Sequence, residues 1–88
     1  MKVLKFGSPT CPGCIVMRPR FAEIESENDW LETEFFDIDE SPEVGEKWEV
    51  RDIPEFIFLD SSGAEIERLA GIIEKDVLVA KINELRDR

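Results

Sequence analysis

Residues 2–14, KVLKFGSPTCPGC, are the most informative stretch of the sequence, because they join a strand-like segment to two cysteines at the start of a helix. Lys2–Gly7 reads as a β-strand, and the helical pattern begins near Cys11. The first turn of a helix offers unpaired N–H groups and the positive end of the macrodipole, and both favour a thiolate over a thiol. A cysteine there can have its pKa lowered from about 8.5 to about 3.5–7.5. The segment therefore predicts a reactive cysteine pair.

Cys11 and Cys14 occupy different places on this helix, and we expect them to have different roles. Cys11, at the helix N-terminus, is predicted to be the exposed nucleophile. Cys14, one turn further in, is predicted to be the buried thiol that releases the mixed disulfide. A zinc site would need two further ligands, but the chain has no His and no other Cys. Redox chemistry is the favoured interpretation, with a metal site or an inert pair as the alternatives.

Along the whole chain, the sequence predicts secondary-structure elements in the order β-α-β-α-β-β-α. The further strands are predicted at Glu32–Asp37, Glu55–Asp60 and Ala64–Ala70, and the helices at Cys11–Asn28, after Ser41, and at Glu74–Arg86. Strands separated by helices are expected to pair in parallel, and the turn at residues 61–63 predicts a final antiparallel hairpin. The fold class is thus α/β, a four-stranded mixed sheet with helices on both faces. We expect a single domain over residues 1–88.

Apolar spacing predicts which helix faces are buried. The expected inward residues are Met17, Phe21 and Ile24 in the first helix, Val44 and Trp48 in the second, and Leu78, Ile82 and Leu85 in the third. Ser41 suits the N-cap of the second helix, and Pro42 its first position. Pro19 lies inside the first helix, where it removes one hydrogen bond and predicts a kink.

The composition excludes several classes of function. Hydrophobic residues make up 42% and charged residues 36% of the chain, which is typical of a globular protein. The net charge of −10 argues against a nucleic acid partner. The charge is uneven, because residues 1–22 contain four basic residues and no acidic ones. No apolar stretch is long enough to span a membrane, and the first residues do not resemble a signal peptide, so we expect a cytoplasmic protein.

Three further features, joined to the cysteine pair, resemble the thioredoxin superfamily across nearly the whole chain. Pro19 is similar to the kinking proline of the active-site helix. Ile53-Pro54 resembles the cis-proline that faces the disulfide and guides an extended substrate backbone, and Gly71 resembles the glycine that lets the substrate approach. The resemblance implies a minimal thioredoxin fold. It also implies that substrates contact Thr10, Pro12, Gly13, Ile53, Pro54 and Gly71.

The chain departs from the thioredoxin pattern around the cysteines. Thr10 replaces the tryptophan that precedes the first cysteine, which removes an apolar docking surface. Lys5 stands where the family has a buried aspartate, and Phe35 replaces that aspartate's lysine partner. If the Lys5 ammonium points toward Cys14, its charge would stabilise a Cys14 thiolate. The alternative is that the apolar part of the Lys5 side chain packs against its neighbours while the ammonium reaches water. Glu55, directly after Pro54, is a second candidate for tuning the cysteine pKa values.

Length alone does not separate a thioredoxin from a glutaredoxin, so individual residues decide. Glutaredoxins hold glutathione with a lysine where this chain has Ser8, with Thr-Val where it has Asp52-Ile53, and with Gly-Gly and acids where it has Gly71-Ile72-Ile73. These three contacts are missing. Pro12, directly after the first cysteine, is similar to the proline of glutaredoxins, whereas Ile53-Pro54, the kinking Pro19 and Trp48 favour the thioredoxin side.

The resemblance implies a protein disulfide reductase that works by dithiol–disulfide exchange. Its expected partners are disulfide-containing proteins and a flavoprotein of the thioredoxin reductase type, with no bound cofactor or metal, and we expect a monomer. One alternative is a glutaredoxin-like reductase that depends on glutathione. Another is a binding or scaffolding protein in which the cysteines are incidental.

Overall fold

The computed structural model describes residues 1–86, so the last two residues of the expected 1–88 domain lie outside the described residues. The strands are β1 (Lys2–Gly7), β2 (Glu32–Asp37), β3 (Glu55–Leu59) and β4 (Glu65–Ala70). The helices are α1 (Pro12–Glu27), α2 (Pro42–Lys47) and α3 (Lys75–Leu85). Their order is the one that the sequence predicted. β3 and β4 each lack one predicted residue, because Asp60 and Ala64 belong to the turn between them.

The strands form one mixed sheet in the order β2-β1-β3-β4. β1 and β2 are parallel, and β3 and β4 form the predicted antiparallel hairpin. The expectation that strands separated by helices pair in parallel is wrong for β3, which pairs antiparallel with β1. Gly7 pairs with Asp37 at the ends of β1 and β2, while Phe6 pairs with Glu55 at the start of β3. The connection through α2 thus leaves and re-enters the sheet at the same end, which reverses the direction of β3.

A hydrophobic core lies on each face of the sheet, as expected for helices on both faces. Under α1 and α3 it contains Val3, Met17, Phe21, Ile24, Leu31, Phe56, Phe58, Leu78, Ile82 and Leu85. Under α2 it contains Leu4, Phe6, Ile57 and Leu59, with half-buried Val44 and Trp48 packed against them. Every residue of β3 is buried, because this strand has a neighbour on each side and a core on each face.

Two helix features qualify the predictions from sequence. Ser41 occupies the N-cap of α2, but its side chain makes no capping hydrogen bond with the described residues; its carbonyl accepts one from the Val44 amide at 3.1 Å instead. Pro19 lies inside α1, which runs as one helix on both sides of it. The kink at Pro19 stays a prediction.

Candidate active site

Cys11 lies at the N-cap of α1, between the end of β1 and the rest of the helix. Its backbone is extended, with φ −79° and ψ 118°, and its carbonyl accepts the first helical hydrogen bond from Ile15 at 3.1 Å. Its sulfur accepts the amide N–H of Cys14 at 3.2 Å, the bond that a Ser or Asp side chain makes in other capped helices. The first turn of α1, which the structure describes in full, carries no acidic side chain. A negative charge on Cys11 Sγ would therefore meet a donor and the positive end of the helix.

Cys14 is enclosed, whereas Cys11 is only half-buried. Cys14 is 5% exposed, and a Cβ built on Gly7 would lie 2.9 Å from its sulfur, so the bare backbone of a glycine forms one wall. Burial and the hydrogen bond with Cys11 raise the pKa of the Cys14 thiol to about 11. A backbone hydrogen bond at Ser8 and the charge of Arg18 act on this pKa in the opposite direction. Cys14 is therefore a protonated thiol at neutral pH.

Pro54 supports the turn that carries the cysteines. The Ile53–Pro54 peptide bond is cis, and a Cβ on Gly13 would lie 2.9 Å from Pro54 Cδ, so the first turn of α1 rests on the proline ring. The Gly71 amide donates to the Pro54 carbonyl at 2.8 Å, and the φ of 89° at Gly71 favours glycine. Ile72 Cγ1 would lie 3.5 Å from the same added Cβ on Gly13. The structure thus brings Gly13, Pro54 and Gly71 together.

The other predicted substrate contacts lie around this centre. Thr10 and Pro12 are the chain neighbours of Cys11, and both are exposed. Ile53 is half-buried and packs against the core under α2. Thr10 and Pro12 therefore border the accessible sulfur, while Ile53 is held partly by the core.

Lys5 directs its ammonium toward α1. Its Nζ lies 2.7 Å from Glu25 Oε2 and 5.3 Å from the centroid of the Phe21 ring. The Lys5 side chain is 19% exposed and that of Glu25 is 31% exposed, so the ion pair is partly shielded from water. The carboxylate of Glu25 thus neutralises Lys5, the cation that the sequence had suggested for Cys14.

An apolar cleft of about 190 Å³ opens beside Cys14. It is lined by Lys5, Phe6, Gly7, Cys14, Met17, Arg18, Phe21, Phe35, Pro54 and Phe56. Phe35, on the edge strand β2, is 47% exposed, and its Cε1 would lie 3.3 Å from a Cβ on Gly7. The guanidinium carbon of Arg18 lies 5.9 Å from the Phe35 ring centroid. The cleft therefore connects the enclosed sulfur with a ring and a cation at the surface.

Glu55 directly follows Pro54 but faces the opposite side of the sheet from the cleft. Successive residues of a strand alternate between the two faces, and Phe56 lines the cleft. Glu55 is 6% exposed, its Oε2 has no hydrogen-bond partner among the described residues, and Arg68 Nη1 lies 3.7 Å from that oxygen. Burial raises the pKa of Glu55, and the charge of Arg68 opposes this rise. The structure does not bring this carboxyl together with the cysteine sulfurs.

Two residues of this site were not singled out from the sequence. Gly7 was recognised only as the end of a strand, and Arg18 only as one of the four basic residues in segment 1–22. Gly7 could have been identified as part of the site because a glycine ends a buried strand just before the cysteine-bearing turn. For Arg18, the indication was the spacing of four residues from Cys14, which places both on one side of a helix.

Two absences in the described part of the chain concern metal-ligating groups and apolar helices. Within residues 1–86, no three Cys, Asp or Glu side chains gather into a group that could hold a metal ion. No helix of that segment is long and apolar enough to cross a membrane. Cys11 and Cys14 are both free thiols.

Comparison with known proteins gives consistent results. The thioredoxin family model matches residues 1–84. The chain is 35% identical over 75 residues to thioredoxin H5 of Oryza sativa subsp. japonica, covering 85% of this chain and 55% of that protein. It is 32% identical over 69 residues to glutaredoxin-3 of Mus musculus, covering 78% of this chain and 20% of that protein. The chain thus spans about half of the first relative and a fifth of the second.

Solved structures agree with the sequence comparison. The crystal structure of thioredoxin NaTrxh from Nicotiana alata superposes with a TM-score of 0.88 at 28% identity. That match covers 96% of this chain and 71% of the tobacco protein. The minimal fold predicted from sequence is therefore confirmed by a structural neighbour as well as by the element order.

Proposed function

Because the chain belongs to the thioredoxin family, we propose that it is a thiol–disulfide oxidoreductase that reduces protein disulfides by dithiol–disulfide exchange. One observation carries the proposal. Cys11 Sγ is accessible at the N-cap of α1 and accepts a hydrogen bond from Cys14, whose own sulfur is enclosed one turn further in. An accessible nucleophile next to a shielded second thiol is the arrangement that a two-step exchange requires.

In the first step, the Cys11 thiolate attacks one sulfur of the substrate disulfide. A bond forms between Cys11 Sγ and that sulfur, the substrate S–S bond breaks, and the other substrate sulfur leaves as a thiolate. The Cys14 amide donor, 3.2 Å from Cys11 Sγ, and the N-terminus of α1 stabilise the attacking anion. Because Cys14 keeps its proton at neutral pH, it does not compete for the substrate.

In the second step, Cys14 loses its proton to solvent and attacks Cys11 Sγ of the mixed disulfide. The Cys11–Cys14 bond forms, the second substrate thiolate leaves, and two electrons have passed from the protein to the substrate. The short separation within one helical turn favours this intramolecular attack over attack by a free thiol.

Substrate contacts are proposed for Thr10, Pro12, Gly13, Ile53, Pro54 and Gly71. Their support is the contact of Gly13 with Pro54, the hydrogen bond from Gly71 to the Pro54 carbonyl, and the exposure of Thr10 and Pro12 beside Cys11. An extended substrate strand alongside Ile53 would place its disulfide over the accessible sulfur. At Gly71, where an added Cβ would meet no atom within 4 Å, the missing side chain would let the substrate backbone approach.

For recycling, we propose a flavoprotein of the thioredoxin reductase type. Ser8, which replaces the glutaredoxin lysine, is 4% exposed, and its carbonyl accepts the Cys11 amide at 3.4 Å, so this position offers no charge to glutathione. The similarity to the mouse glutaredoxin supports glutathione as the alternative reductant. We further propose that residues 1–88 form one domain and that the protein acts as a monomer in the cytoplasm, where a pair of cysteines is kept reduced and available for catalysis.

Trapping the mixed disulfide tests this proposal. Cys14→Ser removes the resolving thiol, so the variant is expected to form a stable covalent adduct with a disulfide-containing protein, visible as a mass increase that dithiothreitol reverses. Cys11→Ser is the matched control and should form none, because its remaining thiol is enclosed. A scaffolding role predicts that the double variant Cys11→Ser, Cys14→Ser keeps full biological function.

A further inference from the structure

Arg18 is a cation of the cleft beside Cys14, and it has no neutralising partner among the described residues. The two residues lie one turn apart on α1 and line the same cleft. The Arg18 guanidinium rests over the Phe35 ring. Within residues 1–86, no carboxylate lies within the ion-pair distance of Arg18, whereas the other cation of the cleft, Lys5, is paired with Glu25.

We propose that Arg18 assists the second step of the exchange by stabilising the negative charge that develops on the Cys14 sulfur as it attacks the mixed disulfide. Phe35 is the positioning residue that keeps the guanidinium at the mouth of the cleft. The inference rests on the proposed dithiol mechanism. In this step the Cys14 proton goes to solvent, the Cys14–Cys11 bond forms, and the substrate thiolate leaves.

The surroundings of Cys14 explain why such a charge matters. The sulfur is enclosed, so water solvates its anion poorly. Facing it are Cys11 from the N-cap of α1 and the Ser8 backbone from the loop before it. β1 contributes Lys5, already paired with Glu25 of α1, while Phe35 of β2 and Pro54 before β3 carry no charge. Among the cleft residues that the structure describes, Arg18 is thus the positive charge without an ion-pair partner.

The size of the effect follows from charge and exposure. Arg18 is exposed, so solvent screens its field, yet a unit charge at close range still changes an equilibrium severalfold. We expect Arg18→Gln to slow the second step about three- to tenfold near neutral pH and to shift its pH profile upward by about half to one unit. Arg18→Lys keeps the charge and should recover part of the rate.

A neutral dipyridyl disulfide separates the two steps in a single mixing experiment. Reduced protein mixed with one equivalent of reagent releases one pyridinethione when Cys11 attacks and a second when Cys14 closes the ring, both visible by absorbance. The probe carries no charge that Arg18 would attract. Arg18→Gln is expected to slow only the second release, and mass spectrometry should identify the product as the intramolecular disulfide.

Arg86→Gln is the matched control, because Arg86 also lies over an aromatic ring, Trp30, at the other end of β2. It changes the net charge equally and should leave both releases unchanged. An unchanged second rate and pH profile in Arg18→Gln would overturn the role of Arg18. Absence of a second release in the unmodified protein would instead overturn the dithiol mechanism itself. The proposal would also be overturned if Arg18→Gln slowed the second release, Arg18→Lys did not recover the rate, and the pH profile of that release did not shift. Both variants must be folded for this comparison.

Discussion

Gly7 and Cys14 touch: a Cβ on Gly7 would lie 2.9 Å from the Cys14 sulfur and 3.4 Å from its Cβ. The contact joins the end of β1 to the first turn of α1. Cε1 of Phe35, in β2, would lie 3.3 Å from the same added Cβ on Gly7. The enclosed position of Cys14 therefore depends on a residue that has no side chain. This relationship provides the first test of the site.

Gly7→Ala is expected to destabilise the protein by about 1–3 kcal/mol, because the added methyl group forces Cys14 or the end of β1 to move. The displaced sulfur should also become more reactive toward iodoacetamide in the folded state. Urea unfolding of the reduced protein measures the first effect, and alkylation kinetics measure the second.

Gly45→Ala is the control for this substitution. A Cβ on Gly45 would meet Ile38 Cγ2 at 3.4 Å, an ordinary contact, and Gly45 lies inside α2, where alanine is the better helix former. The variant should be as stable as the original protein or more stable by up to about 1 kcal/mol. Equal stability losses at both glycines would contradict the tight contact at Cys14.

The stability of the reduced protein should fall in alkaline solution because of Cys14. The folded state raises the pKa of this thiol to about 11, above the value of about 8.5 in an unfolded chain. The folded form therefore binds more protons in this range, so the stability is complete below about pH 8.5 and is lost as pH rises toward 11. We expect a loss of about 1–2 kcal/mol between pH 8 and pH 10.

Cys14→Ala isolates this contribution, since its unfolding free energy lacks the Cys14 titration. The chain has no Tyr and no His, and its five lysines are present in both proteins, so the contribution of the lysines cancels in the comparison. Urea unfolding at the two pH values, with a reductant present, should show a smaller pH dependence in the variant. If the stability of the two proteins depended on pH in the same way, burial would not raise the pKa of Cys14.

Glu55→Gln should stabilise the protein at neutral pH. Burial raises the pKa of Glu55 in spite of Arg68, which means that its surroundings as a whole disfavour the carboxylate. The stability linked to Glu55 is complete below its unfolded pKa of about 4.3 and is lost as pH rises through the folded value. An uncharged Gln avoids this loss, so we expect a gain of about 1 kcal/mol at pH 7 that vanishes near pH 4.

Glu65→Gln changes a carboxylate that contacts the same arginine, and its effect on stability should have the opposite sign. The hydrogen bond from Arg68 lowers the pKa of Glu65, so its carboxylate is favoured in the folded state. Its substitution should lower the stability at neutral pH by a few tenths of a kcal/mol, since the pair is exposed. A neutral-pH loss in Glu55→Gln would show that its attraction to Arg68 outweighs the burial of its charge.

The sequence alone predicted those features of the structure that a local pattern of residues determines. The strand Lys2–Gly7 and the buried residues Leu78, Ile82 and Leu85 were predictable from apolar spacing. The direction of β3 was not, because it depends on which end of the sheet the chain re-enters after α2. The thioredoxin resemblance added what local patterns lack, the approach of Pro54 to the cysteine-bearing turn.

The electrostatics of the site were least accessible from sequence. Lys5 was a reasonable candidate for Cys14, but whether an ammonium faces a thiol or a carboxylate depends on Glu25, twenty residues further along the chain. Arg18 looked like one of several basic residues until its side chain was placed over Phe35. Long side chains reach several ångströms from their backbone, so their partners follow from the tertiary structure.

NADPH consumption in two recycling systems, with a protein disulfide as the final acceptor, tests whether the protein works by dithiol–disulfide exchange with thioredoxin reductase. One system contains an NADPH-dependent thioredoxin reductase, and the other contains glutathione with glutathione reductase. The proposed dithiol mechanism predicts turnover with thioredoxin reductase, abolished in both Cys11→Ser and Cys14→Ser. Turnover with glutathione alone, retained in Cys14→Ser, would contradict it and assign the chain to the glutaredoxin type of chemistry.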